Sequence, residues 1–480
     1  MGYTNAVLGD LDQKKVNVIY EVTKNSLTGN TGLKLSLRPG VTDSITYGDA
    51  TQSSFLYNGF LDSTGFGDPF SVPVVFSILN TSTRASTSSA TTSFHIQANA
   101  YPKYVDHVLV NGVDNLVVQI ANQANPTALQ TVYYSSTFPF FSQIVSTFTT
   151  FTHTGKIESM DGYSFVMDRT NNRIQNSNIN TVSTWPSGNF ITKQIQQDMA
   201  MGLAKHKDKI LAFGLNSVEV FYNAGLSPAP LLSIKTLQAP IGLGYPCLRF
   251  DGNQTHYSTL LGDKLYFMGQ HAGAPYPALT AFDGNRFEKI SNSYIDKIFK
   301  ERTFIGSVGS MLVNGQPAVV VQLTQAPDNP QRWLMFFPQW NDWFEWNSGI
   351  WQPVGVQNVF IGIGTNSAST YLMNRVTTYF RDGTNNYSWL TQFKLPSQGT
   401  HLKTMPMFGV EADTARSTNN MTVEFSDDDY QTWTTTATID LSQTRKLAFR
   451  GGGFYDRAVR LSGTTSTEVG LHNFVARINA

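Results

Sequence analysis

Apolar residues fall in short runs that alternate with polar ones or stop at glycine, a period near two that predicts strands. Val16-Asn17-Val18-Ile19-Tyr20-Glu21 reads as an alternating strand, and Arg38-Pro39-Gly40 as a turn. Val108-Leu109-Val110 and Leu116-Val117-Val118 flank the turn pair Asn111-Gly112. Met160-Asp161-Gly162-Tyr163-Ser164-Phe165-Val166-Met167 makes a turn and a strand, and Val313-Asn314-Gly315-Gln316 turns into the strand Ala318 to Leu323. In the tail, Thr422 to Phe425 and Trp433 to Ile439 read as a hairpin, with Ala458-Val459-Arg460-Leu461 and Asn473 to Ile478 as closing strands. Stripes of helical period are scarce; Ser291 to Arg302 is the best helical candidate.

One unit repeats. Asp208-Lys209-Ile210-Leu211-Ala212-Phe213-Gly214 recurs as Asp263-Lys264-Leu265-Tyr266-Phe267-Met268-Gly269. Each copy is a turn dipeptide feeding an apolar run that ends at glycine. A unit of this size cannot bury its apolar face alone, so neighbouring copies must stack. The expected fold is all-β, with a β-propeller-like body of short antiparallel strands and loop insertions. Aromatics near the turns, in Val220-Phe221-Tyr222, Ala281-Phe282 and Trp340 to Trp346, are expected to pack between blades.

Four blocks follow from the pattern. Residues 1–59 should supply N-terminal strands joining the propeller, and 60–155 a first blade region with a Ser/Thr-rich insertion. Residues 156–400 should hold the central blades, and 401–480 a C-terminal closing blade. Asn80 to Ser93 is nearly all serine and threonine and reads as an exposed loop or flexible insertion. Phe138 to Thr152, with Phe138, Phe140, Phe141, Phe148 and Phe151, reads as a buried strand pair; a loop packing on another subunit is the alternative.

Composition supports this picture and narrows the partners. The 38 glycines, 20 prolines and 12% aromatic content suit many short strands joined by turns. Lysine plus arginine equals aspartate plus glutamate at 34 each, and charged residues make up 14%, against roughly 25% in an ordinary domain. Such a surface is expected to be largely covered by partners. A protein that grips nucleic acid through counterion release is normally basic, so any contact with DNA should be a slide. Cys247 is the single cysteine, which excludes a disulfide within the chain and a cysteine zinc cage. Met1 to Lys15 lacks the signal-peptide pattern, and apolar stretches such as Val132 to Phe151 fall short of about 18 uninterrupted apolar residues. The chain is expected to be made in a cytoplasm and to stay soluble, with no membrane segment of its own.

The search for chemistry selects no catalytic, cofactor-binding or metal residue, and no cofactor. The eight histidines are scattered. Gly242-Leu243-Gly244 and Gly362-Ile363-Gly364 lack the third glycine of a nucleotide fingerprint. Ser426-Asp427-Asp428-Asp429-Tyr430-Gln431-Thr432-Trp433 resembles the Asp-box, Ser-x-Asp-x-Gly-x-Thr-Trp, of sialidase propellers, with Tyr430 where the pattern has glycine. There it is a turn device, its aspartate fixing the loop and its tryptophan plugging the blade. Trp433 is accordingly expected to be buried.

Taken in order, several segments resemble the tail nozzle proteins of short-tailed bacteriophages, also called tail accessory or packaged-DNA stabilisation proteins. They begin with Asn17-Val18-Ile19-Tyr20-Glu21 and Arg38-Pro39-Gly40, and are densest from Asp161-Gly162-Tyr163 through Ser183-Thr184-Trp185. They continue in Phe213-Gly214, Ser217 to Gly225, Gly242-Leu243-Gly244 and Lys289-Ile290-Ser291, and end with Ser426-Asp427-Asp428 and Trp433. The Ser/Thr-rich part of 60–150 departs from the pattern. The resemblance implies a non-enzymatic virion protein: a β-propeller subunit that forms a homo-oligomeric ring, usually a hexamer, below the portal and its adaptor. Such a ring extends and gates the DNA exit channel, retains packaged genome, lets double-stranded DNA pass without specific binding, and carries fibres, spikes or needle proteins. It belongs to the virion tail, after assembly in the host bacterial cytoplasm. The alternative, resting on the Asp-box-like segment, is a glycan-binding or glycan-cleaving propeller of a tail spike.

Overall fold

The repeated turn-and-run segments fold as hairpins closed by two-residue turns. Met160 faces Tyr163, His206 faces Lys209, Leu261 faces Lys264 and Val313 faces Gln316. The turns are thus Lys207-Asp208 and Gly262-Asp263, one residue earlier than the dipeptides that mark the repeat. Asp161, Lys207, Gly262 and Gly315 all take the positive φ that tight hairpins require.

The computed structural model describes, with side chains, residues 14–21, 34–38, 157–193, 198–243, 257–301, 308–313, 315–321, 323, 333–347, 386, 388–395, 401–413, 419–442, 450–464, 468–472 and 476–479. Further strands, including those between 51 and 143, are described at the backbone. Cys247, Gly244, residues 144–152 and the side chains of the Phe138 to Phe151 stretch lie outside the described residues.

The chain divides into two compact units. One comprises residues 44–331 and 350–370. It contains four four-stranded antiparallel sheets and a five-stranded one. In chain order these are sheet I (Thr51–Tyr57, Phe60–Gly65, Val75–Asn80, Ser86–Ala90) and sheet II (Ala100–Val110, Val113–Asn122, Asn125–Ser135, Phe138–Gln143). Sheet III follows (Glu158–Met160, Tyr163–Asp168, Arg173–Asn176, Phe190–Thr192), then sheet IV (Ala200–His206, Lys209–Gly214, Val218–Asn223, Leu231–Ser233). Sheet V holds Ile241–Gly242, Ser258–Leu261, Lys264–His271, Ala278–Phe282 and Phe287–Lys289. The Ser/Thr-rich tract departs from expectation: Ser86–Ala90 is the outer strand of sheet I, paired from Val75↔Ala90 to Leu79↔Ser86. An outer strand needs no apolar face, and serine and threonine supply the ladder as well as any residue.

Sheet IV shows why the repeated runs are apolar throughout. Ala200, Leu203, Ile210, Ala212 and Phe221 face Met160, Phe165, Met167 and Ile174 of sheet III. Met201, Ala204, Leu211, Phe213, Val218 and Val220 face Ile241, Leu265, Phe267 and Phe282 of sheet V. Both faces are covered, so successive residues are buried irrespective of the pleat. Phe213 and Phe267 meet at 4.8 Å between ring centres, and a fully buried side chain of this kind contributes about 1.5–3 kcal/mol. Meandering sheets stacked face to face are the arrangement of propeller blades, and the fold is all-β with a β-propeller-like body. The helix expected after Lys289 spans Ser293–Glu301, capped by Asn292, whose Oδ1 accepts from Ile295 N–H at 3.0 Å. It buries Ile295, Ile298 and Phe299.

The second unit comprises residues 1–43, 332–349 and 371–480. One sheet places Lys14–Val16 between Asp342–Asn347, in parallel, and Asn385–Lys394, antiparallel. It continues through Ala458–Thr465 and Asn420–Ser426 to Thr434–Asp440. The other sheet runs Val18–Lys24, Thr31–Leu37, Gly470–Asn479, Lys403–Ala412, Lys446–Phe449. The tail hairpin and the two later strands read from the sequence are present as strands of these two sheets. Asn17, at φ 56°, is the corner where the N-terminal chain leaves one sheet for the other. Tyr20 meets Phe344 edge-on at 5.1 Å and Phe408 meets Phe425 at 5.8 Å, which joins the two sheets.

Candidate functional site

Among the described residues, buried polar side chains cluster where strands and sheets are fastened to one another. Between sheets III and IV, Lys193 is fully buried, and its ammonium is paired with Asp198 and donates to Ser217 Oγ at 2.9 Å. Asp198 also accepts from Ser217 Oγ at 2.8 Å and from Asn216 N–H at 2.6 Å. Burial alone would raise the Asp198 carboxyl, but the bond from Lys193 and the Asn216 N–H outweigh it and hold it below its ordinary value. At the far end of the same sheets, Asn223 Nδ2 donates to Asp161 Oδ2 at 2.8 Å.

Sheets IV and V are joined by two aromatic residues. The Tyr257 hydroxyl accepts from Leu203 N–H at 2.8 Å and donates to Leu203 C=O at 2.6 Å. It fills the space over Gly202, where a Cβ would lie 2.4 Å from the hydroxyl oxygen. His206, also buried, bonds Asp263 C=O through Nε2 at 2.7 Å and meets Phe282 edge-on at 5.2 Å.

In the other unit the first two segments of the phage resemblance touch. Arg38, wholly buried, donates from Nε to Asn17 Oδ1 at 3.0 Å, and its N–H donates to Asn17 C=O at 3.1 Å. Asn17 Oδ1 also accepts from Asn347 N–H at 3.0 Å, and Nδ2 donates to Ser388 C=O at 2.7 Å. Two residues earlier, buried Lys15 pairs with Asp342, which accepts from the Tyr20 hydroxyl at 3.0 Å. Burial lowers the Lys15 ammonium against the pull of Asp342, and burial followed by the Asp342 charge raises the Tyr20 phenol.

The Asp-box-like segment is a turn whose three carboxylates have separate tasks. Asp428 accepts from Ser426 Oγ at 2.8 Å, from Thr432 N–H at 2.9 Å and from the Thr432 hydroxyl. The Thr432 hydroxyl and N–H, then Ser426, bring its carboxyl down to about 2. Asp427 forms a two-pronged pair with Arg457, whose guanidinium lies over Phe425 and Phe454 at 4.7 and 4.5 Å. Asp429 is 3.6 Å from Lys394. Tyr430, where the pattern has glycine, adopts φ 69°. Trp433 corrects the expectation of a buried plug: it is half-buried, stacked under Arg460 at 4.2 Å. Among the described residues of this unit, Trp333, Trp343, Trp346 and Trp389 are buried in the core.

Sequence reading missed Lys193, Asp198 and Tyr257, and quoted Asn17 and Arg38 without their bond. Only Gly202, small within an apolar strand, signals a close approach there. Among the described residues no group of histidine, cysteine, aspartate and glutamate is placed to hold a metal ion, and no helix is long and apolar enough to cross a membrane. What the arrangement does chemically is hold strands together.

Residues 106–317 match the Phage_stabilise family, described as bacteriophage P22 Gp10, beta-propeller. No curated protein matches the chain. Among solved structures, virginiamycin B lyase from Staphylococcus aureus is 10% identical, with a TM-score of 0.42 over 74% of this chain and 100% of that one. The β-propeller domain of the Trilobed protease from Pyrococcus furiosus is 9% identical, with a TM-score of 0.40 over 68% and 95%. BamB from Moraxella catarrhalis is 10% identical, with a TM-score of 0.34 over 74% and 94%. These likenesses are distant. The matched stretch runs from within the first strand of sheet II through sheet V, fasteners included, and it bears out the resemblance to phage tail stabilisation proteins, with a family of bacteriophage β-propellers as its counterpart.

Proposed function

We propose that this chain is a non-enzymatic structural protein of a phage tail, one subunit of a nozzle ring beneath the portal and its adaptor. The observation that carries the reading is the match of residues 106–317 to a phage stabilisation propeller. Physical chemistry supports it. The ion pairs described above are spent on fastening, which suits a body that must resist load. A net charge of zero suits a conduit through which DNA slides without counterion release. The ring, a hexamer in this reading, extends and gates the exit channel, retains the genome and carries fibres, spikes or needle proteins in the virion tail. It assembles in the host cytoplasm. The glycan reading draws on residues 426–433, whose carboxylates are committed to the turn, Arg457 and Lys394.

The test is genetic. Phage particles made without this protein should fill their heads and then lose DNA, and adding the purified protein should restore retention. Particles that keep their genome without it would sink the proposal.

A further inference from the structure

Among the described residues, the methionines other than Met199 and half-buried Met407 are buried, Met167 and Met201 wholly so. Met199 is 38% exposed. Its sulfur is nonetheless engaged: Arg169 donates to Met199 Sδ from Nε at 3.2 Å and from Nη2 at 2.9 Å. Both ends of this contact are held by their backbones. Arg169 opens the turn after Tyr163–Asp168, where buried Asp168 accepts from Thr170 N–H at 3.0 Å, Asn171 Nδ2 at 2.6 Å and Arg173 Nε at 3.0 Å. Met199 immediately precedes the strand Ala200–His206. Its C=O accepts from Leu215 N–H at 2.9 Å, and the neighbouring Asp198 is tied to Lys193. The contact therefore bridges sheets III and IV. A thioether sulfur is a weak acceptor, whereas the forked, charged guanidinium is shaped for oxygen.

We propose that Met199 is an oxidation site for peroxide, and that Arg169 holds the oxygen of the resulting sulfoxide. A sulfur lone pair attacks one oxygen of hydrogen peroxide, and the S–O bond forms as the O–O bond breaks. The departing hydroxide takes the proton of the transferred oxygen and leaves as water. The sulfide is thereby oxidised to the sulfoxide and the peroxide reduced to water. Because the guanidinium covers one side of the sulfur, attack comes from the other side and one sulfoxide epimer is favoured. Rotation about Cγ–Sδ then turns the new oxygen toward Arg169, and the charge-assisted bond it accepts is stronger than the contact it replaces. Oxidation of a core methionine disrupts packing. Met199 lies outside the cores packed on the two faces of sheet IV, so here the same chemistry tightens a seam. Methionine sulfoxide reductases restore the sulfide, which makes the change reversible. The site works within a single chain and does not rest on the nozzle reading.

The test treats the purified protein with hydrogen peroxide and follows its peptides by tandem mass spectrometry, which distinguishes Met199 from Met201 by fragmentation. Met199 should gain oxygen roughly tenfold faster than the buried methionines, and ahead of Met407, because susceptibility follows access to the sulfur. Each methionine sulfoxide reductase accepts one epimer. In the parent protein one of these enzymes should therefore restore most of Met199, whereas in Arg169→Ala the two should share it evenly. Arg169→Lys, which keeps the charge and loses the fork, should fall between them. The midpoint of urea unfolding should rise on oxidation of the parent and stay unchanged in Arg169→Ala. Oxidation of Met199 at the pace of the buried methionines, or an even epimer ratio in the parent, would overturn the proposal. A midpoint that falls when the parent is oxidised would overturn the seating of the sulfoxide on Arg169.

Discussion

Tyr257 closes an open strand edge by bonding both the N–H and the C=O of Leu203 through one hydroxyl. A side chain from one sheet thereby supplies the ladder that the first strand of the preceding sheet lacks. Tyr257→Phe should cost about 1–3 kcal/mol, the penalty for leaving buried polar groups unpaired. Gly202→Ala should cost at least as much, because its Cβ would overlap the Tyr257 hydroxyl. Since both changes act on one contact, the double variant should fall short of their sum. Urea unfolding of the four proteins measures this, and strict additivity would show that the two sites are independent.

Asn17 holds two separate roles, a left-handed corner and a clamp. Asn17→Gly keeps the backbone conformation but removes the bonds to Arg38, Asn347 and Ser388. It should cost about 2–4 kcal/mol, in the range for stripping a partner from a buried charge. Asn17→Ala should lose about 1–2 kcal/mol more, the strain of a left-handed residue. Equal melting temperatures for the two variants would mean that the corner is free to relax.

Acid should loosen the seam between sheets III and IV. Asp198 titrates below its ordinary 3.8 in the folded chain. Its contribution is therefore complete above about pH 3.8 and is lost as pH falls below that value. Asp198→Asn leaves the Lys193 ammonium buried without its charge partner and should cost about 3–5 kcal/mol at neutral pH. The same variant should show a shallower acid limb in its stability profile. A limb as steep as in the parent protein would assign acid sensitivity to other carboxylates. Asp428 offers an internal check, since its carboxyl should titrate near pH 2 by carbon NMR.

How far the sequence could be read depends on whether a contact is local. The hairpins at Lys207-Asp208 and Gly262-Asp263 were visible because a turn, an apolar run and a glycine lie within eight residues of each other. The helix Ser293–Glu301 was visible for the same reason. Asn17 with Arg38, Tyr257 with Leu203, and the seating of Lys14–Val16 between two distant strands leave no periodic trace. Each depends on a hydrogen bond between residues whose spacing in the chain carries no pattern. Ser86–Ala90 leaves no trace for a different reason: polarity in the sequence does not report backbone pairing, and an outer strand requires that pairing and no apolar face.

Trp433 shows the same limit at a single residue. A tryptophan closing an Asp-box-like turn reads as a core plug, yet here it is half-buried beneath Arg460. Trp433→Ala should cost about 1–2 kcal/mol, a stacked guanidinium plus part of a ring's burial. Trp389→Ala, in the core of the same sheet, should cost about 3–5 kcal/mol. Chemical unfolding that ranks them in the reverse order would contradict this placement.

The measurement closest to the central claim is electron microscopy of the intact tail, or of this protein mixed with its adaptor. The account predicts a ring of these subunits around an axial channel directly below the adaptor. Finding the protein only on peripheral fibres or spikes, with no ring at the channel, would contradict it.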